Sequence, residues 1–191
     1  MANSTPRKQH LLDTAFRLFN ERGYHATGID LILAESGVSK ATLYKHFASK
    51  EALILAVLEQ RHRQLMESLE ASLARDPSPA GVLVIFDLLA TWFKSVDFFG
   101  CNFIRASGEY SAHEDSIHRF AAAHKTRMAD VLEHHLKPHC GGASAKLASD
   151  LMLLIDGAIV AAQMLEDKEA AARAKEIARF MLDSTGCGQQ A

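Results

Sequence analysis

The chain has 191 residues, 48% of them apolar and 23% charged, with a formal net charge of −2 and a mean hydropathy of −0.03. That length suits one to one-and-a-half domains with a packed core, and the composition excludes both a disordered chain and a membrane protein. Three cysteines (Cys101, Cys140 and Cys187), odd in number and far apart, argue against a disulfide framework; residues 1–9 lack an apolar secretory core, so a reducing, cytoplasmic setting is expected.

The charge is unevenly spread. Residues 1–50 hold seven bases (Arg7, Lys8, Arg17, Arg22, Lys40, Lys45, Lys50) against four acids (Asp13, Glu21, Asp30, Glu35), a balance of +3. The remaining fourteen bases face nineteen acids, a balance of −5. A basic front end on an acidic body fits a molecule that meets a polyanion at one end only.

Sustained apolar/polar alternation is missing, whereas Ala, Leu, Glu, Lys and Arg recur at helical spacing, so the fold class is all-α with about nine helices. The first is predicted over 6–22, with Leu12, Ala15, Phe16 and Phe19 on one face and Gly23 closing it. A short second helix falls near 29–35. Gly37 makes a turn, Ser39 caps a third helix to about 47, and Ser49 caps a long fourth to about 75. The clearest loop is Asp76-Pro77-Ser78-Pro79. Further helices are predicted over 80–95, 101–111, 114–137, 144–166 and 168–184, with a break at Lys137-Pro138 and fraying from Gly186 onward. The longest apolar run, 151–155, ends at Asp156 and is far too short to span a membrane.

Between Thr27 and Phe47 the apolar positions Ile29, Ile32, Leu33, Val38, Leu43 and Phe47 make two short helices that cross at Gly37. Leu43 and Phe47, one turn apart, bury one side of the third helix. Lys40, Ala41, Tyr44 and Lys45 are left on the other side, flanked by Thr42 and His46. A short helix with a small residue near its start and two lysines suits a major groove, where lysine donates to guanine and a methyl group touches thymine. Lys50, Tyr44 and Thr42 are placed for phosphates.

Residues 10–53, HLLDTAFRLFNERGYHATGIDLILAESGVSKATLYKHFASKEAL, resemble the DNA-binding region of the TetR family of transcriptional repressors. The resemblance rests on Leu18-Phe19, Gly23-Tyr24, Thr27, the Gly37-Val38-Ser39 turn, Thr42-Leu43-Tyr44, His46-Phe47 and Ser49-Lys50-Glu51. It implies a helix-turn-helix domain over 1–48 and a helical ligand-binding and dimerisation domain over 49–191. It further implies a homodimer on a palindromic double-stranded operator, released by a small-molecule inducer of unknown identity. Thr27, Thr42, Tyr44 and Lys50 then fall at phosphate-contacting positions and Lys40, Ala41 and Lys45 at positions facing bases, with Ser39 and His46 beside them. Gly28 stands where the family usually caps the second helix with Ser or Thr, so Thr27 is expected to cap it instead, or the helix to fray.

A single recognition helix makes few base contacts, which favours a two-fold pair. The expected dimer stripes are Leu151, Leu154, Ile155, Ala158 and Ala162 on one C-terminal helix and Ile177 and Met181 on the other, forming a four-helix bundle. Aromatic residues cluster mid-chain, and with interspersed polar groups they suggest an inducer pocket lined by Trp92, Phe98, Phe99, Phe103, Arg105, Glu109, Tyr110 and Gln163. Cys101, at a helix start, is either a buried apolar residue or a reactive thiol. The run His134–Cys140 has ligand types but not ligand spacing, so no metal is expected, nor any cofactor. His62, His113, His118 and His124 read as surface residues. The signatures of metalloproteases, serine hydrolases and nucleotide-binding loops are missing, and Gly141 to Lys146 lacks the loop spacing, so an enzyme is not expected.

Overall fold

The computed structural model describes residues 6–187, which form helices and their connections without a strand among the described residues. Among the described residues nine α-helices run in chain order: α1 (Pro6–Arg22), α2 (Ile29–Ser36), α3 (Lys40–His46), α4 (Lys50–Leu73), α5 (Val84–Phe93), α6 (Asn102–Glu109), α7 (Ser116–Cys140), α8 (Ser144–Met164) and α9 (Ala170–Ser184). Short 3-10 turns, Pro79–Leu83 and Gly141–Ala143, lead into α5 and α8. The all-α reading therefore holds, and so does the order of the elements.

The chain divides into two compact units. One comprises the chain up to Arg63 together with Cys101–Ala122; the other comprises Gln64–Gly100 and the chain from Ala123. The division passes through α4 and α7, and α6 is bonded to the α1–α2 turn within the first unit.

In the first unit α1 packs on both α2 and α3. Proline opens α1, where its missing N–H costs nothing. Gly23, at φ +89°, ends it with its N–H on the Phe19 carbonyl at 2.9 Å. Leu11, Leu18 and Phe19 of α1, Ile32 of α2, Leu43 of α3 and Leu53, Ile54 and Leu58 of α4 are all buried. Burying side chains of this size stabilises by about 1.5–3 kcal/mol each. At the start of α4 Ser49 Oγ accepts the Ala52 N–H at 3.2 Å. Hydrogen bonds from its own backbone N–H and from Ser49 hold the Glu51 carboxyl below the usual carboxylate range.

In the second unit α8 and α9 pack on each other, and α5 lies against both. The α9 face of this contact is Ala170, Ala171, Ala174 and Ala178, with Leu182 at its end. Small side chains let it approach Leu147, Leu151, Ile155 and Ala158 of α8, all buried. The stretch from Ser116 to Met164 holds an 18-residue window of mean hydropathy 1.5. Its α8 part is amphipathic, with one face in this core, so the apolar composition is that of a packed helix.

Three expectations change. Helix α7 continues through Pro138 to Cys140; a proline in the last turn removes one hydrogen bond but has little helix beyond it to break. Cys140 and Cys187 are joined in a disulfide with a Cα–Cα separation of 4.6 Å, so the cysteine count misled: the odd one, Cys101, is free and buried. His124 is a buried residue of α7 rather than a surface one. The expected fray after Gly186 is described only to Cys187; its remainder lies outside the described residues.

Candidate nucleic-acid interface

The junction of α2 and α3 is built by two local devices. Gly37 adopts the left-handed conformation, φ 63°, and its N–H closes α2 on the Leu33 carbonyl, a backbone that a side chain would strain. Two residues later Ser39 sits in extended backbone and caps α3, its Oγ accepting the Thr42 N–H at 3.2 Å. The Ser39 and Thr42 hydroxyls lie 2.9 Å apart. Leu43 is fully buried and Phe47 nearly so, and this fixes the rotation of α3 about its axis. That rotation leaves Lys40, Ala41, Tyr44 and Lys45 exposed, with Thr42 and His46 half-buried at the margins. Tyr44 is 46% exposed, high for an aromatic residue with nothing packed over it. Lys40 lies 3.9 Å from Asp30, both groups exposed, an ion pair of little strength that an approaching phosphate can displace.

Thr27 does not sit where it was expected. Its side chain is wholly buried, and its hydroxyl donates to the Gly23 carbonyl at 2.7 Å and reaches the Leu18 carbonyl at 3.2 Å. It therefore closes the end of α1, is unavailable to a phosphate through its side chain, and does not cap α2. The N-cap of α2 is Gly28, without a side-chain hydrogen bond. Lys50 is half-buried, its Nζ donating to the His25 carbonyl at 3.3 Å, which holds the ammonium beside the α1–α2 turn.

That turn is braced by α6. The Glu109 carboxylate accepts the Tyr24 N–H at 3.0 Å and the His25 N–H at 2.6 Å. Its backbone carbonyl receives His25 Nε2 at 2.8 Å. Arg105 donates to the Phe19 and Asn20 carbonyls at 3.2 and 2.6 Å, satisfying the C-terminal end of α1 with a cation. Tyr24 is fully buried, its hydroxyl donating to the Asn102 carbonyl at 3.1 Å; burial pushes that phenol well above its usual range. Tyr110 packs against His25 at 4.7 Å between ring centroids, and burial pushes its hydroxyl up to about 12. Arg105, Glu109 and Tyr110, expected in an inducer pocket, are struts beneath the helix-turn-helix, and Phe103 is a fully buried core residue of the same unit. Sequence gave no hint of these partnerships, since the residues lie about eighty positions apart.

The other expected pocket residues belong to the second unit. Trp92, Phe93 and Phe98 form an aromatic cluster with ring centroids 4.9 to 6.1 Å apart. Gln163 is exposed, its carboxamide so close to Gly100 that a Cβ there would lie 2.0 Å from Oε1. Phe99 is half-buried.

The expected dimer stripe is largely spent inside the chain. Leu151, Ile155, Ala158 and Ala162 are buried by α9 and α5, and Leu154 is half-buried. The outward stripe of α8 is instead Leu153, Gly157, Val160 and Met164, on the opposite side of the helix. Leu153 is 72% and Met164 74% exposed. On α9 Ile177 and Phe180 point outward, Phe180 at 72% exposure, and Met181 is half-buried. Among the described residues no group of three or more His, Cys, Asp or Glu side chains could hold a metal. His135 and His139 lie instead against the Ser78 and Pro77 carbonyls at 2.9 and 2.8 Å.

The family model for bacterial regulatory proteins of the tetR family matches residues 11–57. The HTH-type transcriptional repressor DhaR of Mycobacterium sp. (strain GP1) is 30% identical over 134 residues, 70% of this chain and 64% of that protein. The HTH-type transcriptional activator FasR of Mycolicibacterium smegmatis is 40% identical over 88 residues, 44% of this chain and 40% of that protein. The chain thus spans less than two thirds of either relative. A crystal structure of a TetR-family transcriptional regulator from Streptomyces coelicolor superimposes with a TM-score of 0.88 at 31% identity, covering 94% of this chain and 96% of that one. With the exposed recognition helix and its buried scaffold in place, this chain belongs to the TetR family of DNA-binding transcriptional regulators.

Proposed function

We propose that the chain is a ligand-responsive repressor that binds a palindromic operator as a homodimer in the cytoplasm and is released by a small-molecule inducer. The observation that carries the DNA part is the free polar face of α3, with Lys40, Ala41, Tyr44 and Lys45 exposed over a buried Leu43. In this reading Lys40, Ala41 and Lys45 meet base edges, while Tyr44, Thr42, His46, Ser39 and Lys50 meet the phosphate backbone. The homodimer is supported by the outward apolar residues of α8 and α9, too many large side chains for a solvated helical face. Inducer control is a shift between two spacings of the paired recognition helices, carried by α4, whose sequence runs from one unit into the other. A tenfold loss of operator affinity needs only about 1.4 kcal/mol of coupling. No step requires catalysis.

Selection from a pool of random duplexes tests this. The purified chain is expected to enrich a palindromic sequence bound by two chains, and recovery of random, unenriched duplexes would overturn it. Activation rather than repression is the second reading, favoured by the likeness to the M. smegmatis activator. A footprint upstream of the promoter elements supports activation, and one overlapping them supports repression.

A further inference from the structure

Arg61 lies in α4, in the unit that carries the helix-turn-helix. Its Nε is shut off from solvent, and no acceptor among the described residues reaches it. The residue as a whole is half-buried, so part of it stays exposed. The ring of Phe16, from α1, lies beneath it, 5.8 Å from the guanidinium carbon to the ring centroid. Burial holds its pKa below the ordinary arginine value, and the Cys101 thiol is an ionisable neighbour.

Two other guanidiniums of this unit are held differently. Arg17 pairs with Glu21 and Glu35, and Arg105 is held by two carbonyls. A partly desolvated cation with no counter-charge weakens the fold unless something else completes it. The charge is therefore retained for a role outside folding, as is usual where a polar group is left unsatisfied in an interior.

We propose that Arg61 is the anchor of an effector site, and that the effector is a small molecule bearing a single carboxylate on an apolar body. The planar fork of a guanidinium matches a carboxylate in two parallel hydrogen bonds. One positive charge balances one negative charge, so a dianionic phosphate would leave a surplus in the same partly buried place. The aromatic floor of Phe16, with Phe103 and Phe120 stacked 6.5 Å apart elsewhere in the unit, favours an apolar remainder. This inference rests on the effector-responsive reading above and supplies its chemistry. It also supplies a route: a ligand held over Phe16 bears on α1, which packs on both α2 and α3.

The test is a thermal-shift series on the full-length protein without DNA, using benzoate, phenylacetate and straight-chain carboxylates from butanoate to decanoate, each against its carboxamide. At about 100 times the dissociation constant a ligand of the native state raises the melting temperature of a chain this size by several degrees. At least one carboxylate is expected to do so, with its amide shifting it less than a third as far. Arg61→Met is expected to abolish the carboxylate's advantage while melting at or above the parent temperature, and Arg61→Lys to keep a reduced one. Equal shifts from acids and amides, no shift across the series, or an unfolded Arg61→Met beside a folded, unresponsive Arg61→Lys would each overturn the proposal. Anisotropy on the selected operator separates the two readings. A carboxylate that stabilises through Arg61 yet leaves operator affinity unchanged supports the site and counts against inducer control.

Discussion

Gly28 opens α2 with extended backbone, φ −79° and ψ 157°, and offers no side chain to the amides that follow. A Cβ there meets nothing within 4 Å, and any L residue adopts this backbone. Gly28→Ser adds an acceptor for the α2 amides and removes a glycine from the unfolded chain, together about 0.5–1 kcal/mol. The melting temperature is expected to rise by about 1–4 °C, and an unchanged melt would show that the α2 amides are already satisfied. The neighbouring Thr27 illustrates what a motif conveys and what it hides. Its place in the sequence was legible, but its hydroxyl turns inward to the Leu18 and Gly23 carbonyls, a choice set by the Gly23 turn. Lys40 and Lys50 differ in the same way, one on the open face of α3 and one held at the α1–α2 turn. Lys40→Ala is expected to relax base preference at one operator position, at about 1–3 kcal/mol. Lys50→Ala should weaken all duplexes alike and reduce the salt slope by about one. Anisotropy titrations over a range of salt, on matched and scrambled duplexes, check both.

At the scale of elements, helix starts and stops were largely legible because they are local. Pro6, Gly23, Gly37, Ser39 and Ser49 each act within one turn of the backbone, and the helices they bound begin and end beside them. What a helix faces is not local. The α8 sequence carries two apolar stripes, and the richer one, Leu151, Ile155, Ala158 and Ala162, is covered by α9 and α5 of the same chain. Periodicity marks a stripe without saying which neighbour buries it. Arg105 and Glu109 were misplaced for the same reason, since polar residues one turn apart in an apolar helix suit a pocket as well as a strut. The link between the ends of α7 and α9 was hidden too, because Cys140 and Cys187 are 47 positions apart. Closing a loop of that length removes unfolded-state entropy worth about 2–4 kcal/mol. Cys187→Ser and the reduced parent are expected to share one denaturant midpoint, below that of the oxidised parent. A single midpoint for all three would show that the pair is not bonded in solution.

For the whole molecule, the charge split between residues 1–50 and the remainder was readable from composition, and it agrees with the basic face lying on α3. Symmetry was not readable, because a two-fold partner leaves no periodic trace beyond the stripes already divided between α8 and α9. The proposed dimer has a sharp discriminant in that division. Leu153 and Phe180 are each 72% exposed, whereas Leu151 is 1% exposed. A glutamate at an exposed site costs the lone chain little, while the same charge facing its own copy across a two-fold axis is buried and repelled. The pair Leu153→Glu with Phe180→Glu should therefore sediment as a single 20.9 kDa chain instead of about twice that mass, with parental helicity and melting. Leu151→Glu should instead unfold, since it buries a charge between α8 and α9. The monomeric pair then tests the palindrome itself. Losing the second recognition helix removes an intramolecular binding event, and operator affinity should fall by about 10²–10⁴ while the salt slope falls to about half. A variant that stays dimeric would move the interface elsewhere, and a monomer with parental affinity and slope would show that one recognition helix suffices.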